Sequence, residues 1–266
     1  NTGLVGVVGG NSVTLTSTDA LDGDLGTAGA PILTTATTLG FTGTFIGDVF
    51  ITESNGSNVS GVTGLGLGGG GITLVSSTGD WNVTGAIAAA GAVSVSALAA
   101  DILMTAGVFA IAGASVNLAA GGVDGDVGFA AAAIRTFTTG AGALAFTGSG
   151  GGEVVITEAD GATVTGTAGS GEVILTTTGA WLVGAAGIAI TSGGLLMTAN
   201  GVGGQITDVA AAPISVGGLA SFNTVGVITL GDVGGGTTNF GTLTLNGTIG
   251  TVREDSATTF VGTSLL

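Results

Sequence analysis

The feature that most constrains this chain is a long internal repeat. The phrase GEVVITEADGATVTG (Gly152–Gly166) matches GDVFITESNGSNVSG (Gly47–Gly61) at eight of fifteen positions. Three further phrases recur in the same order, and one of them brings both tryptophans into register: TGDWNV (Thr78–Val83) returns as TGAWLV (Thr178–Val183). A chain that repeats itself in this way is expected to stack similar units along one axis.

The repeat divides the chain into superrepeats of about a hundred residues. We place them at approximately 12–114 and 115–206, with a partial third copy over 207–266. In the third copy, TDVAAAPI (Thr207–Ile214) echoes DGDLGTAGAPI (Asp22–Ile32), and VREDSATTFVG (Val252–Gly262) keeps the skeleton of the first phrase. We predict a single elongated domain. Because the sequence starts and stops within a repeat, we also expect it to be a segment of a longer protein.

Strand patterns dominate the repeat. SVTLTS (Ser12–Ser17), EVILTT (Glu172–Thr177) and TLTLNG (Thr242–Gly247) alternate small polar with branched apolar residues, which is typical of half-buried strands. Glycine-rich turns separate such segments, and helical spacing is nearly absent. At roughly 20 residues per coil, each superrepeat predicts about five coils of a parallel β-solenoid. This is an all-β fold in which glycine occupies tight corners.

The composition excludes most chemistry. The 266 residues include 56 glycines and no cysteine or histidine, and 17 acidic residues against 2 arginines give a net charge of −15. Without His, Cys or Lys, most nucleophile–base pairs, Schiff bases and zinc sites are impossible, so we predict that the protein is not an enzyme. Two arginines cannot neutralise a phosphate backbone, which argues against nucleic-acid binding. The apolar stretch 86–100 is interrupted by Gly and Ser, so no membrane-spanning helix is predicted.

Four phrases carry a family resemblance: GDLGTAGAPI, GDVFITESNG, GITLVSSTGDWNVTGAIAAAGAVSVSA and TLTLNGTIG. They resemble the haemagglutinin-like repeat regions of very large bacterial surface exoproteins. These include two-partner-secreted adhesins of the filamentous-haemagglutinin type and autotransporter passengers. The resemblance implies a right-handed parallel β-helix, secretion to the cell surface or extracellular space, and a role in adhesion or surface assembly. It brings no catalytic residues with it.

Two DGD turns are candidate calcium ligands. They pair Asp22 with Asp24 and Asp124 with Asp126, and calcium takes oxygen ligands from loops. Asp and Gly are also ordinary turn residues, so a purely structural turn is the favoured interpretation. Beyond calcium, no cofactor is predicted.

Glu53 and Glu158 occupy the same place in the repeated phrase and are the other calcium candidates, with Glu254 as the third copy. The alternatives are a basic partner or a structural role. In the structural role, each glutamate ends a strand at a corner, either exposed or hydrogen-bonded to corner amides. Copies a hundred residues apart are expected to stand several coils apart, too far to form one site.

Four apolar residues are candidates for packing and assembly. Trp81 and Trp181 could stack on carbohydrate, but packing against a neighbouring coil or chain is the favoured interpretation. Phe50 and Val155 lie on the strand face opposite to their core-facing neighbours, so both faces of these strands are partly apolar. This pattern predicts lateral or end-to-end association of copies of the chain.

The sequence therefore favours a non-enzymatic structural protein, a self-associating fibre, filament or sheath subunit. The alternative is an adhesin stalk that presents a tip to a cell, protein or polysaccharide. Two remote alternatives are a β-helix enzyme acting on polysaccharide and an ice-binding solenoid. The first needs acids clustered with a base or arginine, whereas Arg135 and Arg253 lie far apart. The second needs regular threonine ladders, and the Thr spacing in the sequence is irregular.

Overall fold

The regular elements of this chain are all β-strands. The computed structural model describes residues 6–18, 23–43, 47–62, 69–105, 107, 110–231 and 236–261. No helix occurs among the described residues, and so none that could cross a membrane. The strands are β1 (Val7–Thr16), β2 (Ile32–Thr42), β3 (Val49–Glu53), β4 (Ser57–Val62), β5 (Ile72–Ser76), β6 (Trp81–Ala88), β7 (Ala92–Ala97), β8 (Ile102–Met104), β9 (Ile111–Ala120), β10 (Asp124–Gly125), β11 (Ile134–Thr147), β12 (Ser149–Gly150), β13 (Val154–Glu158), β14 (Gly161–Ala168), β15 (Val173–Thr177), β16 (Ala180–Ile190), β17 (Leu195–Ala199), β18 (Ile206–Asp208), β19 (Ile214–Thr224), β20 (Val227–Leu230), β21 (Thr238–Asn246), β22 (Ile249–Val252) and β23 (Thr259–Phe260).

Successive turns of the chain stack in parallel register. Ile72 of β5 is the partner of Val49 in β3 on one side and of Val93 in β7 on the other. Apart from the short β10–β12 pair, all strand pairings are parallel, and the chain forms a β-solenoid of about ten turns. At about 4.8 Å per turn, the stack is a rod of roughly 50 Å. The predicted all-β parallel solenoid is confirmed.

The superrepeat corresponds to about four and a half turns rather than the predicted five. Side 1 of the solenoid holds β3, β5, β7, the later parts of β9 and β11, and β14, so that β14 lies five turns after β3. Side 2 holds β4, β6 and β8 and continues, through bridges of Val127, to β13, β15 and β17. Strand β13 directly precedes β14 along the chain and lies half a turn earlier, on side 2. The first phrase therefore places its first strand on side 1 in the first copy (β3) and on side 2 in the second copy (β13).

The core follows the period-two pattern of the sequence. Strands β3, β5, β15 and β17 bury their first, third and fifth residues and half-expose the two between. Five large aromatic side chains are among those fully buried: Trp81, Trp181, Phe146, Phe222 and Phe240. Phe222 and Phe240 meet edge to face, with ring centroids 5.7 Å apart. Burying such a side chain contributes about 1.5–3 kcal/mol, and stacking repeats this contribution along the rod.

The DGDxG phrase forms a projecting turn that leaves the stack and returns. In the second copy, Val127 bridges to both Ile102 and Val154, and Phe129 then pairs with Ala132 across a tight turn. Gly128 has φ of +71°, and a Cβ added there would lie 2.7 Å from the carbonyl oxygen of Val155. The first copy repeats this geometry. Gly26 has φ of +82°, and a Cβ would lie 2.6 Å from the Phe50 carbonyl oxygen. Glycine recurs here because both the backbone conformation and the available space require it.

We expect Gly128→Ala to destabilise the solenoid more than Gly203→Ala. Gly203 also has a left-handed φ, +79°, but no atom lies within 4 Å of its added Cβ. The control substitution therefore carries only the backbone strain, about 1–2 kcal/mol, whereas Gly128→Ala adds a collision with backbone. Urea unfolding of both variants measures the difference. Equal losses of stability would contradict the close-approach explanation.

Candidate functional site

The repeated glutamate is an interior residue. The side chains of Glu53 and Glu158 are both 0% exposed, so an exposed corner position is wrong. The Oε1 atom of Glu158 accepts the backbone N–H of Thr138 at 2.9 Å, and its Oε2 atom accepts the Thr136 hydroxyl at 2.5 Å. The Oε2 atom of Glu53 accepts the backbone N–H of Ala36 at 3.0 Å. Each carboxylate thus binds a corner amide of the preceding turn.

A gap in the sheet explains this arrangement. Strand β2 pairs with β3 as far as Thr34 and resumes with β4 at Thr38, so Ala36 falls between the two ladders. Strand β11 has the same gap between Thr136 and Ala143, and Thr138 lies in it. A buried N–H without an acceptor costs about 1–3 kcal/mol, and the glutamate supplies the acceptor that the ladder lacks. The third copy does the same.

In that third copy, Glu254 Oε1 accepts the N–H of Phe240 at 2.9 Å and the Ser256 hydroxyl at 2.9 Å. Its Oε2 atom is buried without a hydrogen-bond partner among the described residues. The function shared by the three glutamates is to join one turn to the next. Copies on alternate sides and in distant turns do not form one binding site.

Burial raises the pKa of the Glu158 carboxyl, because the charged form loses its hydration. The hydrogen bonds from Thr136 and Thr138 act in the opposite direction, and the nearby Asp160 raises the pKa further. The net effect is that the folded state favours the protonated form of Glu158 more than the unfolded state does.

A second set of acids stacks on the surface, and we call it the acidic column. It consists of Asp80, Asp101, Asp126, Glu153 and Glu172, each standing directly before the first paired residue of its turn on side 2. Asp80 Oδ1 accepts the N–H of Asp101 at 3.2 Å, and Asp101 Oδ1 accepts that of Asp126 at 2.9 Å. Asp126 Oδ1 accepts the N–H of Glu153 at 2.6 Å. Each aspartate thus ties its turn to the next one.

The column brings like charges together. Burial raises the pKa of Asp101, the N–H of Asp126 lowers it, and the charges of Asp126, Asp80 and Asp124 raise it again. The same motif occurs on side 1, where Asp24 Oδ1 accepts the N–H of Asp48 at 2.7 Å.

The DGD turns use their described carboxylates mainly in contacts within the fold, and calcium binding by them stays a prediction. In the part of the chain that the structure describes, no group of three or more acidic side chains is placed to hold a metal ion. Asp24 and Asp126 instead use a carboxylate oxygen as an acceptor for the next turn, and Asp124 is exposed in the short β10 strand. Asp22 lies outside the described residues. The favoured interpretation of the DGD phrase, a structural turn, agrees with these contacts.

The two tryptophans lie inside the solenoid and are 0% exposed, so they are not carbohydrate platforms. Trp81 Nε1 donates to the Ser96 carbonyl at 3.0 Å, and Trp181 Nε1 donates to the Thr198 carbonyl at 3.1 Å. Each indole spans the interior and ties two strands of the solenoid together.

Phe50 and Val155, the two residues predicted to point outward, differ in their exposure to solvent. Phe50 is half-buried, which leaves part of its ring open to a neighbouring molecule. Val155 is only 5% exposed, so its predicted role as an outward contact for another chain is wrong. The projecting turn at Gly128 lies against the backbone carbonyl of Val155.

Arg135 is a feature that the sequence did not single out as a site. Its side chain is exposed on β11, and Nη1 donates to the carbonyl of Gly107 at 3.2 Å. It borders a cleft of about 330 Å³. The cleft is lined by Met104, Thr105, Gly107, Ala131–Ala133, Arg135 and Thr157.

No protein-family model, curated protein or solved structure matches this chain. The assignment of the fold therefore rests on the structure itself. The resemblance to haemagglutinin-like repeats stays a prediction from the sequence.

Proposed function

We propose that this chain is a non-enzymatic structural protein of the cell surface or extracellular space, a β-solenoid shaft whose copies associate into a fibre, filament or sheath. The observation that carries the proposal is that its polar interior groups are used to hold turns together. Glu53 and Glu158 satisfy corner amides, and Trp81 satisfies a carbonyl of the next turn. A chain without His, Cys or Lys has few groups with which to build a catalytic site.

The first and last described strands offer edges at which a further turn, from the same protein or from a second copy, can add. Within the described residues, β1 pairs with β2 on one edge, β22 with β20 and β23 with β21. The opposite edges of these strands present backbone N–H and C=O groups that can pair with a further turn. Exposed apolar side chains lie at both ends, Val7 and Val8 on one and Ile249 and Phe260 on the other.

Contact between unlike ends is head-to-tail, and such contacts propagate without closing. A filament is the expected product. Placement of the assembly outside the cell is supported by the resemblance of the repeats to surface exoproteins.

Val8→Lys tests this proposal against a matched control, Val202→Lys. Both valines are exposed, but Val8 is on the end strand β1, whereas Val202 lies in a turn between β17 and β18. We expect sedimentation at rising concentration to show growing assemblies for the wild type and Val202→Lys. Val8→Lys should remain monomeric, because a lysine on an edge strand opposes pairing. Growth that is equal in all three proteins would contradict end-to-end stacking.

A further inference from the structure

Arg135 occupies a position that the fold does not require to be an arginine. The superrepeat aligns it with Leu33 in the first copy and with Ser215 in the third. The register agrees, since Leu33 pairs with Thr52 of β3, as Arg135 pairs with Thr157 of β13. One structural position therefore accepts a leucine, a serine and an arginine. The arginine is a local addition to the scaffold, in a chain that has only 2 basic residues.

The guanidinium is held but not saturated. It offers five N–H donors, and in its contacts with described residues one of them is used, on the carbonyl of Gly107 at 3.2 Å. The backbone N–H of Arg135 meets the sulfur of Met104 at 3.5 Å, which anchors the strand beside the cleft. Glu158 directly follows Thr157, the pairing partner of Arg135 in β13. Its carboxylate is buried and accepts hydrogen bonds from Thr136 and Thr138. Donors of Arg135 thus remain available towards the cleft.

The cleft is open to solvent and has polar and apolar lining residues. Thr105 and Thr157 contribute hydroxyl groups, Met104 contributes apolar surface, and the small side chains of Ala131–Ala133 leave room for close approach. At physiological salt, charges beyond about 8 Å are largely screened. Screening of this kind weakens the repulsion that the chain's net charge of −15 exerts on an anion in the cleft.

We propose that the Arg135 cleft is a binding site for a carboxylate group, with the guanidinium as the charge partner and the threonine hydroxyls as additional donors. An arginine beside a carboxylate forms charge-assisted hydrogen bonds, often two in parallel. The carboxylate can come from a small acid such as a sugar uronate or from an acidic side chain of a second copy of the chain. The site is independent of the filament proposal, because it lies on β11 and away from the end strands.

Nuclear magnetic resonance of labelled side chains tests the site, because the chain contains its own controls. Its 2 arginines give two Nε–H signals, and its 2 methionines give two methyl signals. Both methionines are buried, but Met104 is 4% exposed and lines the cleft, whereas Met197 is 0% exposed and is not among the residues that line it. Titration with sodium glucuronate should shift the Arg135 and Met104 signals saturably and leave Arg253 and Met197 in place. Glucose, and sodium chloride at matched ionic strength, should shift none of them.

Arg135→Leu is the matched variant, since Leu33 shows that the fold accepts leucine at this position. We expect its thermal unfolding to resemble that of the wild type and its Met104 signal to lose the response to glucuronate. Dilution of the protein without ligand distinguishes the two sources of carboxylate. If the Arg135 signal depends on protein concentration without ligand, and added glucuronate abolishes that dependence, the carboxylate in the cleft comes from a second copy of the chain. No saturable shift, an equal shift of Arg253, or a Met104 response that persists in Arg135→Leu would overturn the proposal.

Discussion

Replacement of Trp181 by alanine will destabilise the solenoid by about 3–5 kcal/mol. The indole is fully buried, and its Nε1 donates to the carbonyl of Thr198 in β17. The substitution creates a cavity within the stack and removes the hydrogen bond from the indole to the Thr198 carbonyl. Because each turn is supported mainly by its neighbours, the loss is expected to centre on the turns around β16.

The neighbouring Leu182 provides the control. It is half-buried on the opposite face of the same strand, so Leu182→Ala should cost much less than Trp181→Ala. Urea unfolding can be followed by the fluorescence of Trp81, which is the other of the chain's 2 tryptophans. Hydrogen exchange then shows whether protection is lost around β16 first. If the two variants are equally stable, the indole does not join the turns as its contacts indicate.

Acidification from neutral pH will stabilise this protein, and Glu158→Gln will remove part of that gain. The pKa of Glu158 in the folded state is raised above its ordinary value of 4.5. A raised acid pKa means that the folded state binds the proton more tightly than the unfolded state does. The corresponding stability is fully present below the unfolded pKa and is lost as the pH rises through the folded pKa. The raised pKa of Asp101 acts in the same direction.

Thermal unfolding between pH 7 and pH 4.5 measures this effect. We expect the Tm to rise on acidification, because the folded state binds the protons of Glu158 and Asp101 more tightly than the unfolded state does. Glu158→Gln should be more stable than the wild type at pH 7 and should show a smaller rise on acidification, because the amide is neutral at both pH values.

The exposed Glu172 gives the matched control, since Glu172→Gln removes one charge without changing a buried group. Measurements in high salt separate the buried carboxyl from the general repulsion of a chain with charge −15. If Glu158→Gln and Glu172→Gln have the same pH profile, the buried corner is not the source of the effect. A Tm that falls steadily on acidification would contradict the sign of both pKa shifts.

The sequence predicts the solenoid because strand alternation and internal repetition are local properties. Strands such as β15 bury the residues that the period-two pattern assigns to the core, and both tryptophans pack inside as their repeat suggests. The number of turns per superrepeat was less accessible. It depends on how many residues each corner absorbs, and one turn takes 19 residues from Val154 to Val173 but 28 from Ser115 to Ala143.

The role of Glu158 depends on contacts between turns and could not be derived in full. The alternation of the strand predicts a buried side chain at this position, whereas the charge and the turn that follows predict a corner residue. Only the register of β11 against β13 and β14 reveals the gap that leaves the Thr138 amide without a ladder partner. The acidic column is hidden for the same reason, since its members become neighbours only once irregular turns are stacked.

We propose that copies of this solenoid associate into a filament by adding turns at the first and last described strands. Cryo-electron microscopy of concentrated wild-type protein tests it most directly. We expect filaments with a layer line at about 4.8 Å along the filament axis, the spacing of turns continued from one copy to the next. Dispersed rods of roughly 50 Å at every concentration, or filaments whose strands do not lie across the axis, would contradict it.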